Sequence, residues 1–157
     1  MISPTANYNY STSYMFSYGP FSHTGLKADI ALGDVSFMLG VFNPTDFTEF
    51  NPDNTYYGGA QVGYGGAYLN FLFGDGYFQA DLTAGWDLTE SFYLGVNSTF
   101  NQDLFTGGAL YLQNSFSDSF SVGIRGEYFS DQGDVVLAMD PNADESVIDL
   151  TLSANYS

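Results

Sequence analysis

Apolar and polar residues alternate along residues 77–100, with Ser98 the only lapse on the apolar side. The alternation runs through the first half of this stretch, is interrupted by a short turn at Thr89-Glu90-Ser91, and then resumes. Because successive side chains of a β-strand point to opposite faces, the pattern predicts a β-hairpin with one apolar and one polar face. The apolar positions of the first predicted strand are Phe78, Ala80, Leu82, Ala84, Trp86 and Leu88.

Aromatic residues lie near both ends of the apolar face of this hairpin. Phe78 and Trp86 are eight residues apart on the first strand, and Phe92 and Phe100 have the same spacing on the second. Eight strand residues tilted by about 40° cover roughly 20 Å of depth. The apolar band of a transmembrane β-barrel is ~25 Å tall and is bordered by two aromatic girdles. The spacing therefore predicts girdle positions at Phe78, Trp86, Phe92, Phe100, Phe120 and Tyr128.

The same alternation recurs along the whole chain and predicts about ten strands (8–10), the first at residues 6–18. Tight connections are expected at residues 33–34, 65–66, 89–91 and 117–119, and longer loops at residues 43–55, 101–106 and 130–146. Outer-membrane barrels combine short periplasmic turns with longer external loops. The chain, residues 1–157, is therefore expected to be a single all-β domain, an antiparallel up-and-down transmembrane β-barrel with both termini in the periplasm.

Charged residues within the predicted strands all fall on the polar face. A membrane barrel requires this sorting, because a charge on the lipid face costs ~2–4 kcal/mol near the bilayer midplane. Two interpretations stay open for these residues: a lining that selects among ions, or a network of ion pairs that fills a narrow lumen. The predicted channel-lining residues are Lys27, Asp29, Asp81, Arg125, Glu127 and Asp149.

The face that points inward is not fixed by alternation alone, because a soluble ligand-binding barrel buries its apolar face and a membrane barrel exposes it. The polar face is rich in Gly, Ser, Thr and Asn and poor in Lys and Glu, which is unusual for a water-exposed surface. Together with the aromatic residues at strand ends, this favours the membrane barrel. A soluble barrel and a non-conducting structural or adhesive membrane barrel remain the alternatives.

Composition and charge exclude several classes of function. Aromatic residues make up 18% of the chain and charged residues 13%, against a usual charged fraction of about 25%. The net charge of −16 excludes nucleic acid as a partner and disfavours adsorption to anionic lipid surfaces. The absence of cysteine excludes disulfides and thiolate metal sites. No apolar run approaches the ~18 residues of a membrane helix.

Candidate catalytic and metal-binding residues are few. His23 follows Ser22, but neighbouring strand residues point to opposite faces, so the two are not expected to form a nucleophile–base pair. Residues 140–145 resemble a calcium loop only faintly and are interpreted as a solvated acidic loop. The sequence therefore predicts no enzyme, no cofactor and no metal site.

Two short motifs resemble a known family. Residues 19–28, GPFSHTGLKA, and residues 123–129, GIRGEYF, are similar in order and spacing to segments of the OmpL-like β-barrel porins of Gram-negative bacteria. The resemblance spans about Tyr18 to Tyr156. Because family members are typically much longer, the chain resembles their C-terminal part, as a fragment, a shortened form or a compact relative would.

The resemblance implies an outer-membrane channel for small solutes or ions, embedded in a lipid bilayer, and carries no catalytic or ligand residues over to this chain. The acidic loops at residues 43–55 and 130–146 are expected to form a vestibule that enriches cations. The oligomeric state is left open by the sequence.

Overall fold

The fold is given by a computed structural model that describes residues 7–51, 54–132 and 145–157. Within these residues it contains one short helix followed by nine β-strands. These elements are α1 (Tyr14–Tyr18), β1 (Gly25–Leu32), β2 (Val35–Phe42), β3 (Tyr57–Tyr64), β4 (Ala67–Gly74), β5 (Tyr77–Asp87), β6 (Phe92–Asn101), β7 (Phe105–Ser117), β8 (Phe120–Asp131) and β9 (Ser146–Tyr156).

The nine strands form one sheet in sequence order, and each strand is antiparallel to its neighbours. The hairpin predicted from residues 77–100 is β5 and β6, in which Leu82 pairs with Ser98 and Asp87 pairs with Tyr93. The all-β, up-and-down antiparallel architecture is therefore confirmed. The outer edges of β1 and β9 pair with no other strand among the described residues, so the sheet is open and closure into a barrel stays a prediction.

The prediction of a strand at residues 6–18 is wrong. Residues 7–13 form no strand, and the helix α1 follows them, with the Ser13 side chain accepting a hydrogen bond from the Phe16 amide at 3.1 Å. The backbone groups of this segment are satisfied by side chains of β8 and β9 instead of by a neighbouring strand. The described strand count is consequently nine, inside the predicted range of eight to ten.

The prediction of a long loop at residues 101–106 is also wrong. β6 continues to Asn101 and β7 begins at Phe105, so only residues 102–104 connect them. The Asn101 side-chain oxygen accepts hydrogen bonds from the amides of Asp103 at 3.3 Å and Leu104 at 3.2 Å, which stabilises a tight turn. The predicted loop at residues 130–146 and the acidic stretch at residues 140–145 fall largely outside the described residues.

The connections lie at two ends of the sheet. The turn end carries the connections at residues 33–34, 65–66, 88–91 and 118–119, and the loop end carries those at residues 43–56, 75–76, 102–104 and 132–145. Gly33 and Gly65 adopt positive φ values of 62° and 57°, which glycine reaches without steric strain, and this permits the two-residue turns.

The apolar face of the sheet is exposed and the polar face is inward. Leu39 and Leu110, on the apolar face of two interior strands, are 61% and 46% exposed, whereas Arg125 and Glu127 on the opposite face are 2% and 3% exposed. A soluble barrel has the reverse arrangement, because it removes its apolar side chains from water. Within the described ranges, no helix is long and apolar enough to cross a membrane.

The orientation of Trp86, the single tryptophan of the chain, gives a direct test of this arrangement. Trp86 is 38% exposed on the apolar face near the turn end, and its indole nitrogen donates to the Gly65 carbonyl at 2.6 Å. We expect its fluorescence in vesicles to be quenched by brominated lipids, most strongly with bromine close to the headgroups, where membrane proteins concentrate tryptophan. Emission that is unaffected by bromine at every depth would contradict the lipid-facing position.

Candidate functional site: the inner face of the sheet

The polar face, called the inner face below, carries a ladder of hydrogen bonds centred on Asp81. Its carboxylate accepts from the amide of Asn70 at 3.1 Å, the amide of Asn97 at 3.0 Å and the hydroxyl of Thr99 at 2.7 Å. The Gln61 amide extends the ladder by donating to the Asn70 side-chain oxygen at 2.6 Å. Four neighbouring strands, β3 to β6, thus hold the Asp81 carboxylate in one position.

A cavity of about 390 Å³ lies over this ladder. Its polar lining consists of the ladder residues together with Gln79 and Thr83, and the rest of its lining is largely apolar. Asp81 places a carboxylate on the cavity wall without a cationic partner, because the two cationic side chains of the protein, Lys27 and Arg125, form ion pairs elsewhere. The apolar lining residues include Met15, Pro20, Met38, Phe42 and Leu72.

Arg125 joins three segments of the chain. Its guanidinium donates to Asp149 on β9 at 3.0 Å, to the hydroxyl of Thr151 at 2.9 Å, and to both the carbonyl and the hydroxyl of Ser11 at 2.8 and 3.0 Å. The Arg125 side chain is 3% exposed and that of Asp149 is 31% exposed. This pair therefore ties β8, β9 and the N-terminal residues together on the inner face.

Glu127 does not pair with Arg125, although both side chains lie on the same face. Its two carboxylate oxygens accept hydrogen bonds from the backbone amides of Tyr14 and Met15, each at 2.9 Å. Beside this contact, Met15 packs in a buried apolar cluster with Phe105, Ala109 and Phe129. Glu127 is therefore engaged by the N-terminal residues.

Lys27 and Asp29 are placed differently from the other predicted lining residues. They form an ion pair at 3.0 Å on β1, and their side chains are 57% and 63% exposed. Because β1 is an edge of the open sheet, the structure brings this pair together but does not bring it to Asp81 or to Arg125.

The residues predicted for the aromatic girdles lie on the exposed apolar face at two levels. Trp86, Phe92 and Phe120 are near the turn end, and Phe78, Phe100 and Tyr128 are nearer the loop end. Two of them are neighbours across the β5–β6 hairpin, where the Phe78 and Phe100 rings are 6.4 Å apart. Contact of these rings with lipid headgroups stays a prediction.

The region around His23 shows no nucleophile–base pair. The Ser22 hydroxyl donates to Asp46 at 3.3 Å, and the His23 ring contacts Phe42 with ring centres 5.8 Å apart. Partial burial lowers the pKa of His23, and the Asp46 carboxylate partly offsets this effect. Among the described residues, no group of acidic residues and histidine is arranged to hold a metal ion.

Several residues of the inner face were not singled out from the sequence. Uncharged residues such as Asn70, Asn97 and Thr99 belong to no recognisable sequence motif. Their positions on the polar side of alternating strands could nevertheless have identified them as residues of the inner face. The contacts of Ser11, Tyr14 and Met15 could not be anticipated, because they depend on residues more than a hundred positions away in the chain.

Comparison with known proteins identifies a family to which the chain is similar. The family model described as "Putative beta-barrel porin-2, OmpL-like" matches residues 1–157, which is the whole chain. No curated protein and no solved structure matches the chain. The family implies an outer-membrane location and agrees with an antiparallel sheet whose apolar face points outward and whose polar face points inward. The resemblance found in the two sequence motifs is thereby confirmed: this chain belongs to the OmpL-like β-barrel porin family.

Proposed function

We propose that the protein is a passive outer-membrane channel for small solutes and ions, that it favours cations, and that its turn end and both termini face the periplasm. The observation that carries the cation preference is the Asp81 carboxylate on the wall of the 390 Å³ cavity. Three side-chain donors hold the carboxylate in place, and neither of the two ion pairs among the described residues includes it. A fixed negative charge in a confined aqueous space raises the local cation concentration and repels anions.

The overall charge acts in the same direction. With 18 acidic and two cationic residues, the chain has a large excess of negative charge. Asp46 lies in the connection at the loop end, and its carboxylate accepts hydrogen bonds from the amides of Phe21 at 2.9 Å and Ser22 at 2.7 Å. The acidic connections at this end would act as a vestibule that attracts cations before they reach Asp81.

The cation preference is testable in planar bilayers. We expect the wild-type protein to show a cation-selective reversal potential in a KCl gradient, and Asp81→Asn to lower the cation-to-anion permeability ratio about fivefold. A unit charge about 8 Å from an ion in water contributes roughly 0.5 kcal/mol, and its loss affects cations and anions in opposite directions.

Asp118→Asn is the matched control, because it removes one charge from the turn between β7 and β8, away from the cavity. We expect it to leave the permeability ratio close to that of the wild type. Anion preference in the wild-type channel would contradict the proposed selectivity.

A structural barrel without conductance is the second candidate. The observation that favours it is the position of the N-terminal residues against the inner face of β8 and β9, where they occupy space that an open channel would leave to water. The same bilayer recordings separate the two candidates, because a structural barrel would insert without producing current steps.

A further inference from the structure

We propose that the N-terminal segment, defined as residues 7–18, is an internal plug that restricts conduction along the β7–β9 side of the inner face. This inference rests on the proposed channel function. The segment crosses the sheet from one end to the other: Tyr8 lies beside Asn155 near the turn end, and the Tyr18 ring lies 5.7 Å from that of Phe129 near the loop end. It therefore runs along the axis of the predicted lumen.

Polar contacts attach the first part of the segment to β9. The Asn155 amide donates to the Tyr8 carbonyl at 3.1 Å, the Tyr10 amide donates to the Ser153 hydroxyl at 3.3 Å, and the Ser153 hydroxyl contacts the Asn9 side-chain oxygen at 3.4 Å. These contacts satisfy backbone groups that would otherwise need a neighbouring strand. The segment thus uses the inner face of β9 as its hydrogen-bonding partner.

Two charged side chains of β8 hold the middle of the segment. Arg125 donates to the carbonyl and hydroxyl of Ser11, and Glu127 accepts from the Tyr14 and Met15 amides. Hydrogen bonds with one ionised partner are stronger than neutral ones. Both β8 residues are nearly completely buried.

Glycines on the inner face leave room for the side chains of the segment. A Cβ atom at Gly107 would lie 2.7 Å from the Met15 Cγ and 2.9 Å from its sulfur, and a Cβ at Gly123 would collide with the Tyr8 ring. A larger residue at either position would force the Met15 or the Tyr8 side chain out of its present place. The Met15 and Tyr8 side chains therefore fill the space that Gly107 on β7 and Gly123 on β8 leave open.

The plug also borders the proposed passage. Met15, Gly19 and Pro20 line the same cavity as Asp81. Movement of the segment away from β8 and β9 would join the space that it fills to this cavity. The position of residues 7–18 would then set the width available to ions, while Asp81 would set their charge.

The test compares two adjacent glycines. A Cβ atom added at Gly107 would collide with the Met15 side chain, whereas a Cβ atom added at Gly108 would meet only the Asn97 carbonyl oxygen at 3.8 Å. We expect Gly107→Val to raise single-channel conductance roughly twofold, because ions then reach the part of the lumen that the segment fills, and Gly108→Val to leave it unchanged. Heat-dependent migration on gels would verify that both variants are folded.

A disulfide then tests whether the segment itself causes the change. The Ser11 and Thr151 hydroxyl oxygens are 3.5 Å apart and the chain has no cysteine, so Ser11→Cys with Thr151→Cys can form only this cross-link within the chain. In the Gly107→Val background, we expect the oxidised cross-link to lower conductance to the wild-type value and a reducing agent to restore the increase. Peptide mapping by mass spectrometry would measure the yield of the cross-link independently of any current.

The possible outcomes separate the two proposals. Equal conductance of the Gly107→Val, Gly108→Val and wild-type proteins, with no effect of oxidation, would overturn the plug and leave the channel function intact. Absence of current from every variant would overturn the channel function and, with it, any restriction of conduction by the segment. In that case the yield of the cross-link would still decide whether the segment lies on β9.

Discussion

Arg125→Met is expected to lower the free energy of unfolding by about 2–3 kcal/mol, because it removes the hydrogen bonds of a buried guanidinium and leaves Asp149, whose side chain is 31% exposed, without its cationic partner. The substitution keeps an unbranched side chain but removes the donors to Asp149, Thr151 and Ser11. Urea unfolding in lipid vesicles, followed by Trp86 fluorescence, would measure the loss. The Arg125→Met substitution would also loosen the N-terminal segment from β8, so we expect the conductance of this variant to be higher than that of the wild type.

Lys27→Met is the matched control. Lys27 and Asp29 are also separated by 3.0 Å, but their side chains are more than half exposed, and such pairs contribute roughly 0–1 kcal/mol. The double variant Arg125→Met with Asp149→Asn should recover part of the stability, because the uncompensated carboxylate is then absent. Equal losses in the free energy of unfolding for Arg125→Met and Lys27→Met would contradict the inference that burial makes the Arg125 contacts the stronger ones.

Leu82→Arg is expected to destabilise the protein in vesicles by about 2–4 kcal/mol, the cost of a cation on the lipid face near the bilayer midplane. Leu82 lies in the middle of β5 on the exposed apolar face, where it pairs with Leu69 and Ser98. The measurement is again urea unfolding in vesicles of a single lipid composition.

Thr83→Arg is the control on the neighbouring residue. Thr83 lies on the inner face and borders the cavity, two residues from the Asp81 carboxylate. We expect a change below about 1 kcal/mol, since the new cation would be close to that carboxylate in water. A soluble barrel predicts the opposite ranking of the two variants, so a larger loss at Thr83 than at Leu82 would refute a lipid-facing apolar surface.

The sequence predicted the strands best where alternation was strict and the turn residues were distinctive. Residues 77–100 formed the expected hairpin, and the assignment of apolar and polar positions to faces held along β5 and β6. The reason is physical: a period of two fixes the face of every side chain, and a shift of one residue would reverse them all. Two-residue glycine turns fixed the connections at residues 33–34 and 65–66 in the same way.

The N-terminal residues show where such reasoning ends. Tyr8 and Tyr10 alternate with asparagines as they would in a strand, yet the segment lies on the inner face of the sheet. Local pattern does not reveal whether a backbone will bond to a neighbouring strand or to side chains such as Glu127 and Ser153. That choice depends on pairs separated by more than a hundred residues, and it needs the three-dimensional structure.

The candidate site was predictable only in part. The sorting of charges identified Asp81, Arg125 and Asp149 as inner-face residues, because a lipid face excludes them. It did not indicate that Arg125 would pair with Asp149 while Asp81 would bind only uncharged donors. The pairing depends on which strands are adjacent and on their register, so residues with the same charge and the same face acquired different environments.

The number of strands determines how the two free edges can be joined. In a sheet of nine alternating strands, the first and the last run in the same direction, so a direct β1–β9 contact would be a parallel pair in an otherwise antiparallel sheet. A single strand inserted between the edges could instead be antiparallel to both and would bring the count to ten. In hydrocarbon, either solution would satisfy the open backbone groups of Gly25–Leu32 and Ser146–Tyr156, which lipid cannot hydrogen-bond.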